Sequence, residues 1–180
     1  MSSAPSWYAL VPAALVCAAA PAQATQYLTV AQAQRQMFPS ANAFVDRTLS
    51  LNPAQRKAIA RASGLAPGKS QAVWEVRGPG GRQGWLFVDR VLGKHELITY
   101  ALAVDPSGTI RGLEVLDYRE TYGGEIRSPR WRQQFVGKRA GAAFKLGGDI
   151  QNISGATLSS RHVTDGVRRL LATFELLLRA

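Results

Sequence analysis

The stretch Asp149-Ile150-Gln151-Asn152-Ile153-Ser154-Gly155-Ala156-Thr157-Leu158-Ser159-Ser160 gathers hydroxyls and very small side chains directly ahead of an amphipathic segment. From Val163 onward the apolar residues Val167, Leu170, Leu171, Phe174, Leu177 and Leu178 recur at helical spacing, which predicts a helix with one buried face. Two chemistries suit its start. In one, Thr157, Ser159 or Ser160 caps the helix N-terminus through a side-chain oxygen. In the other, Gly155 and Ala156 leave the backbone open, so that a bulky planar group approaches where free N–H groups and the positive end of the helix dipole favour an anion. The second reading is a phosphate site with a hydroxyl beside it.

Other residues offer less. His95 and His162 are the two histidines, one on a strand-like turn and one on the helix, and they lack metal-ligand spacing, so no metal site is expected. Glu120 and Glu125 are close enough in sequence to act as paired carboxylates or to fix the Tyr122-Gly123-Gly124 turn, but nothing announces the cleft that glycosidase chemistry needs. Ser154, Ser159 and Ser160 lie outside any Gly-x-Ser-x-Gly elbow, which argues against a hydrolase nucleophile, and no catalytic residue is assigned. Trp74, Trp85 and Trp131 read as core residues.

The string Ser154-Gly155-Ala156-Thr157-Leu158-Ser159-Ser160 resembles the signature of the FMN-binding domain family, which includes subunits of the sodium-pumping and Rnf-type redox complexes and periplasmic FMN-binding proteins. The resemblance continues upstream in order. Segments 84–89, 98–104 and 108–115 are similar to the family's successive strands, 120–126 to its Glu-Thr-Pro-Gly-like turn, and 131–138 to its Trp/Gln-Phe-x-Gly-Lys segment. This family carries FMN on the threonine of the signature as a phosphoester, installed by a flavin transferase that uses FAD. The resemblance therefore implies attachment at Thr157, with Ser154, Gly155, Ala156, Leu158 and Ser159 around the phosphate and linker. Glu120, Thr121 and Tyr122 would approach the ring, and arginines around it would favour its anionic reduced form and raise its potential. The implied role is electron transfer with a membrane-bound redox partner, as a carrier or oxidoreductase subunit rather than a stand-alone enzyme. Two positions depart from the family pattern: Tyr122 stands where proline is common, and Gln151 where the attaching enzyme usually meets an aspartate. Gln151 keeps open the alternative of a non-covalent FMN-binding or docking module with no redox role of its own.

The remaining sequence must deliver and position this stretch. Residues 1–24 carry no charged side chain, have an apolar centre from Trp7 to Ala20 and end in Ala22-Gln23-Ala24, which reads as a secretory signal with an A-x-A cleavage pattern. Export to the periplasm is expected; a retained segment would instead hold the protein at the membrane. Cleavage after Ala24 would remove Cys17, the one cysteine, and with it any disulfide, thiol nucleophile or thiolate metal site. The formal charge of +10 is unaffected by that cleavage and suits an anionic neighbour, whereas scattered arginines without a recognised motif argue against nucleic acid.

Residues 25–70 read as a helical segment and linker, with helices over Thr29 to Met37 and from Asn52-Pro53 to Ser63-Gly64. Residues 71–180 read as the FMN-binding domain. Within it, alternating runs separated by Gly78-Pro79-Gly80-Gly81 and Asp105-Pro106-Ser107-Gly108 predict four or five antiparallel strands. The expected fold class is α+β: a single antiparallel sheet flanked by helices, with a long C-terminal amphipathic helix after the Ser-Gly-Ala-Thr loop.

Overall fold

A computed structural model describes residues 27–179; the expected signal segment lies outside them. The elements run α1 (Val30–Met37), β1 (Ala43–Asp46), β2 (Leu49–Ser50), α2 (Pro53–Ser63), β3 (Ser70–Gly78), β4 (Gly81–Leu92), β5 (Leu97–Val104), β6 (Ile110–Asp117), α3 (Pro129–Arg132) and α4 (Thr157–Leu177). Strands pair in the order β1-β3-β4-β5-β6, with β2 also on β3, giving one six-stranded antiparallel sheet. The fold is therefore α+β.

Side-chain alternation decides what covers each face. Along β5, Ile98, Tyr100, Leu102 and Val104 point to one side and Ala101 and Ala103 to the other. The large residues meet Val163, Val167, Leu170 and Phe174 of α4 in the main core. The small ones leave room for Ala33 of α1 and for Phe38, which pack with Val76, Leu86 and Leu116. Helix α2 rests on α4 through Leu51, Ile59 and Ala172.

One polar cluster fixes α4 on the sheet. Asp89, at an inward position of β4, accepts hydrogen bonds from the Tyr100 hydroxyl (2.6 Å) and from Arg169 on α4. Gly166 lies directly over that hydroxyl: a Cβ there would stand 2.2 Å from the Tyr100 oxygen. A mid-helix glycine costs about 1 kcal/mol relative to alanine; here it permits the contact that sets the height of α4.

Ahead of β3, residues 27–69 add strands to the two expected helices. The helices form, each begun by a capping box, on Thr29 and on Asn52, and α2 ends on Gly64 in the left-handed conformation. Between them, however, β1 pairs with β3 from Ala43↔Arg77 to Asp46↔Trp74, so this stretch supplies an edge strand to the same sheet and raises the strand count to six.

Helix α4 sets the polarity of the molecule. Its first turns lie beside the β4–β5 turn, where the His162 ring Nδ1 donates to the Leu92 carbonyl. Its far end reaches the β5–β6 turn, where Phe174 abuts Gly108. The chain leaving β6 runs along the open edge to Gly137 and Lys138, which exchange backbone bonds with Ile110, and then returns to α4. Its Ile126, Trp131, Phe135, Phe144, Ile150 and Ile153 complete the main core.

Candidate functional site

Three segments converge at the α4 start: the loop into the helix, the turn after β6 and the β4–β5 turn. Between them is a hollow of about 470 Å³, lined by Gly155, Ala156, Thr157, Leu158 and Ser159 from the first, Glu120, Thr121 and Tyr122 from the second, and Lys94 and His95 from the third. Close packing holds the first two together. Gly123, at φ +85°, lies so near the loop that a Cβ there would stand 2.1 Å from Ala156 Cβ and 2.7 Å from the Tyr118 hydroxyl. Tyr118 is 4% exposed and donates to the Tyr122 carbonyl, and burial pushes its hydroxyl pKa up.

Helix α4 begins differently from α1 and α2. Its N-cap is Ala156, and no side chain caps it. Thr157 is the first helical residue and Ser159 lies in the first turn, while the Ser160 hydroxyl donates back to the Ala156 carbonyl at 3.0 Å, so none of the three expected capping residues caps. The first-turn N–H groups are thus left without a side-chain acceptor at the positive end of a 21-residue helix. Gly155 has φ +77° and nothing within 4 Å of where a Cβ would be. Thr157 is exposed, and its hydroxyl oxygen accepts one long bond, 3.2 Å, from Asn152 Nδ2. Asn152 Oδ1 in turn accepts from Ser160 Oγ at 3.1 Å, so one amide ties the threonine hydroxyl to the second turn of the helix.

The loop before Thr157 is itself braced. Asp149 takes Lys138 Nζ at 2.9 Å and the backbone N–H groups of Lys145 (2.6 Å) and Phe144 (3.2 Å). The Lys138 bond, with those N–H groups, holds its carboxyl below the usual range. Gln151, at the position where the family usually has aspartate, donates its N–H to Gln134 Oε1 (2.7 Å) and receives Trp131 Nε1 on its carbonyl (2.8 Å). Its side chain is exposed.

The sequence-derived site residues therefore fall into two groups. Thr157, Gly155, Ala156, Leu158, Ser159, Glu120, Thr121 and Tyr122 share one hollow. Ser154 faces a neighbouring recess with Glu125, Arg130 and Asn152. Glu120 does not brace the Tyr122-Gly123-Gly124 turn; one of its oxygens takes the N–H groups of His95 (2.6 Å) and Glu96 (3.0 Å). Burial works to raise its pKa, but the N–H groups of Glu96, His95 and Lys94 prevail and hold it below the ordinary value. The expected arginines are absent from the hollow's lining, where Lys94 and His95 are the basic residues. These two were missed in sequence, as were Asn152 and Tyr118; the Gly93-Lys94-His95 turn between two strand runs was the available signal.

A concave site of this size, with an uncapped helix N-terminus, a bare glycine and an exposed hydroxyl, is the kind that takes a phosphate-bearing cofactor. Residues 93–172 match the family model described as the FMN-binding domain. Among curated proteins, a subunit of the Na(+)-translocating NADH-quinone reductase of Neisseria meningitidis serogroup B is 31% identical over 141 residues, covering 67% of this chain and 55% of that protein. The Yersinia pestis protein of the same name is 33% identical over 102 residues, covering 51% of this chain and 35% of its own length. The chain spans about half the length or less of these curated relatives. The crystal structure of Shewanella oneidensis NqrC superposes with a TM-score of 0.55 at 20% identity, covering 78% of this chain and 84% of that one, which is a likeness of fold.

Proposed function

We propose that this chain is an exported flavoprotein that holds FMN as a phosphoester of Thr157 and exchanges electrons with a membrane-bound redox partner. The observation that carries the reading is the exposed Thr157 hydroxyl at the uncapped start of α4, opening on a hollow of about 470 Å³. The residues fit the group. The N–H groups of the first helical turn suit the phosphate, Gly155 leaves its approach open, and the apolar Leu158 and Tyr122 side chains, 42% and 76% exposed, offer surface to a planar ring. When bound, the flavin supplies the redox chemistry, and the protein's part is to hold it and set the charge around it.

Attachment by a flavin transferase balances simply. The Thr157 oxygen takes the FMN phosphorus of FAD, the pyrophosphate bond breaks, AMP leaves and the hydroxyl proton is lost. Outside the cytoplasm a released cofactor is diluted away, and the ester prevents that loss. Partnership with a membrane redox system rests on the likeness to a subunit of a Na(+)-translocating NADH-quinone reductase, and export rests on residues 1–24.

Co-expression of the exported chain with a periplasmic FAD-dependent flavin transferase, followed by intact-mass measurement, tests the proposal. A gain of one FMN less one water, absent from Thr157→Ala, supports it; an unmodified chain overturns the ester. The exposed Gln151 at the usual aspartate position favours one second reading, a non-covalent FMN module, which would show as flavin that co-purifies but leaves the denatured chain.

A further inference from the structure

The β4–β5 turn brings the hollow its basic side chains. It is closed by the Gly93 N–H on the Glu96 carbonyl at 2.7 Å, and Lys94 and His95 are exposed on the wall that Gly155, Thr157 and Leu158 share. So short a turn is ordinarily the looser end of a hairpin. Here a carboxylate from another part of the chain fastens it, because Glu120 Oε1 takes the N–H groups of His95 and Glu96 from 25 and 24 residues away.

We infer that the β4–β5 turn forms the electropositive wall of the flavin site through Lys94, with the His95 ring beside it, and that Glu120 acts on the flavin through them, as a positioning residue that holds their turn against the hollow. The inference rests on the hollow being the FMN site. The α4 N-terminus and Thr157 account for the phosphate, so the basic turn meets another portion of the cofactor. A ring that gains negative charge on reduction is stabilised in its reduced form by nearby cations, which raises its potential. Glu120, as an anion, would lower it if it acted directly. Its bonded oxygen is instead committed to two backbone donors.

The test separates these roles by comparing substitutions that remove the same charge. Wild type, the Lys94→Gln/His95→Gln double variant, Glu120→Gln and Glu120→Ala are each matured with the transferase, and flavin midpoint potentials are read by spectroelectrochemistry at one pH. The double variant is expected to shift to lower potential; an unchanged value overturns the electropositive wall. Glu120→Gln keeps an oxygen for both N–H groups, whereas Glu120→Ala removes the same negative charge and frees the turn. The alanine variant is therefore expected below the glutamine variant, and equal potentials overturn the positioning role. Intact mass, read in parallel, reports the ester independently, since flavin held without an ester still reports its potential. A wild-type protein that holds no flavin in either form overturns both readings.

Discussion

The two ends of the sheet use the same chemical groups to opposite effect. At the end away from the α4 start, Glu75 lies in the row Glu75↔Trp85 and is surrounded by Arg77 (2.9 Å), Arg47 (3.2 Å) and Arg82 (3.5 Å). The Glu75 side chain is 5% exposed, and the Arg77 hydrogen bond leads the interactions that hold its pKa at about 2, against the opposing effect of burial. Nearby Asp105 closes its own turn on the N–H groups of Ser107 (2.8 Å) and Thr109 (2.9 Å). Carboxylates and cations there are spent on one another and on backbone. At the α4 end, the helix start is uncapped, Lys94 and His95 are exposed, and the Thr157 hydroxyl has one long bond. One end holds the sheet together; the other keeps groups in reserve for a ligand.

Removing Thr157 at the reserved end gives the largest effect. Thr157→Ala is expected to abolish covalent flavin entirely while leaving the urea midpoint nearly unchanged, since exposed substitutions usually stay within about 0.5 kcal/mol. A large stability loss would show that the hydroxyl is structural and would erase the contrast.

Glu75→Gln is the converse. It leaves guanidinium groups facing one another without their carboxylate. The expected cost is about 2 kcal/mol, below the 3–5 kcal/mol of fully buried pairs because the arginines are about half exposed. Flavin loading should be unaffected. The pH dependence has a definite sign. A folded pKa of about 2, depressed from 4.5, gives stability that is complete above the unfolded value and is lost as pH falls from there toward 2. Acid unfolding of wild type should steepen in that window, and Glu75→Gln should flatten it.

Between the two ends, Gly166→Ala tests how α4 is seated. Helix propensity alone predicts a gain of about 1 kcal/mol. The 2.2 Å approach to the Tyr100 hydroxyl predicts instead a net loss of about 1–3 kcal/mol, as in overpacked cores, read from the shift in urea midpoint. A stabilised variant would mean that the Asp89–Tyr100–Arg169 cluster does not set the helix height.

What was legible in sequence follows the range of the interactions. Strands β3 to β6 carry their own alternation and turn residues, and α2 carries Asn52, Pro53 and Gly64 at its ends, so both could be read locally. Strand β1, three residues of intermediate burial and the exposed Asp46 at the sheet edge, is a strand because β3 pairs with it, and nothing in Ala43–Asp46 says so. The Ser-Gly-Ala-Thr motif marked the hollow through its own small residues. Its opposite wall left only a turn signal: Lys94 and His95 arrive through the β4–β5 turn and are held by Glu120, which local reading assigned to its own turn. The capping expectation failed because Ser and Thr preferences describe what a helix start gains from a cap, whereas this start leaves its N–H groups open.

The smallest effect is the most specific to the reserved end. Asn152 donates to the Thr157 oxygen and accepts from Ser160, so it turns the hydroxyl without taking the proton that the attaching enzyme must remove. Asn152→Ala should slow flavin attachment several-fold, in keeping with the roughly 1 kcal/mol worth of one neutral hydrogen bond, and leave the final extent of loading unchanged. Asn152→Asp offers an acceptor where Thr157 meets a donor. The hydroxyl would then donate to it, turning its proton inward. Attachment, timed by intact mass, should be slower than in Asn152→Ala. Equal rates in the two variants would assign Asn152 to bracing the loop, and the hydroxyl's orientation would then come from the helix alone.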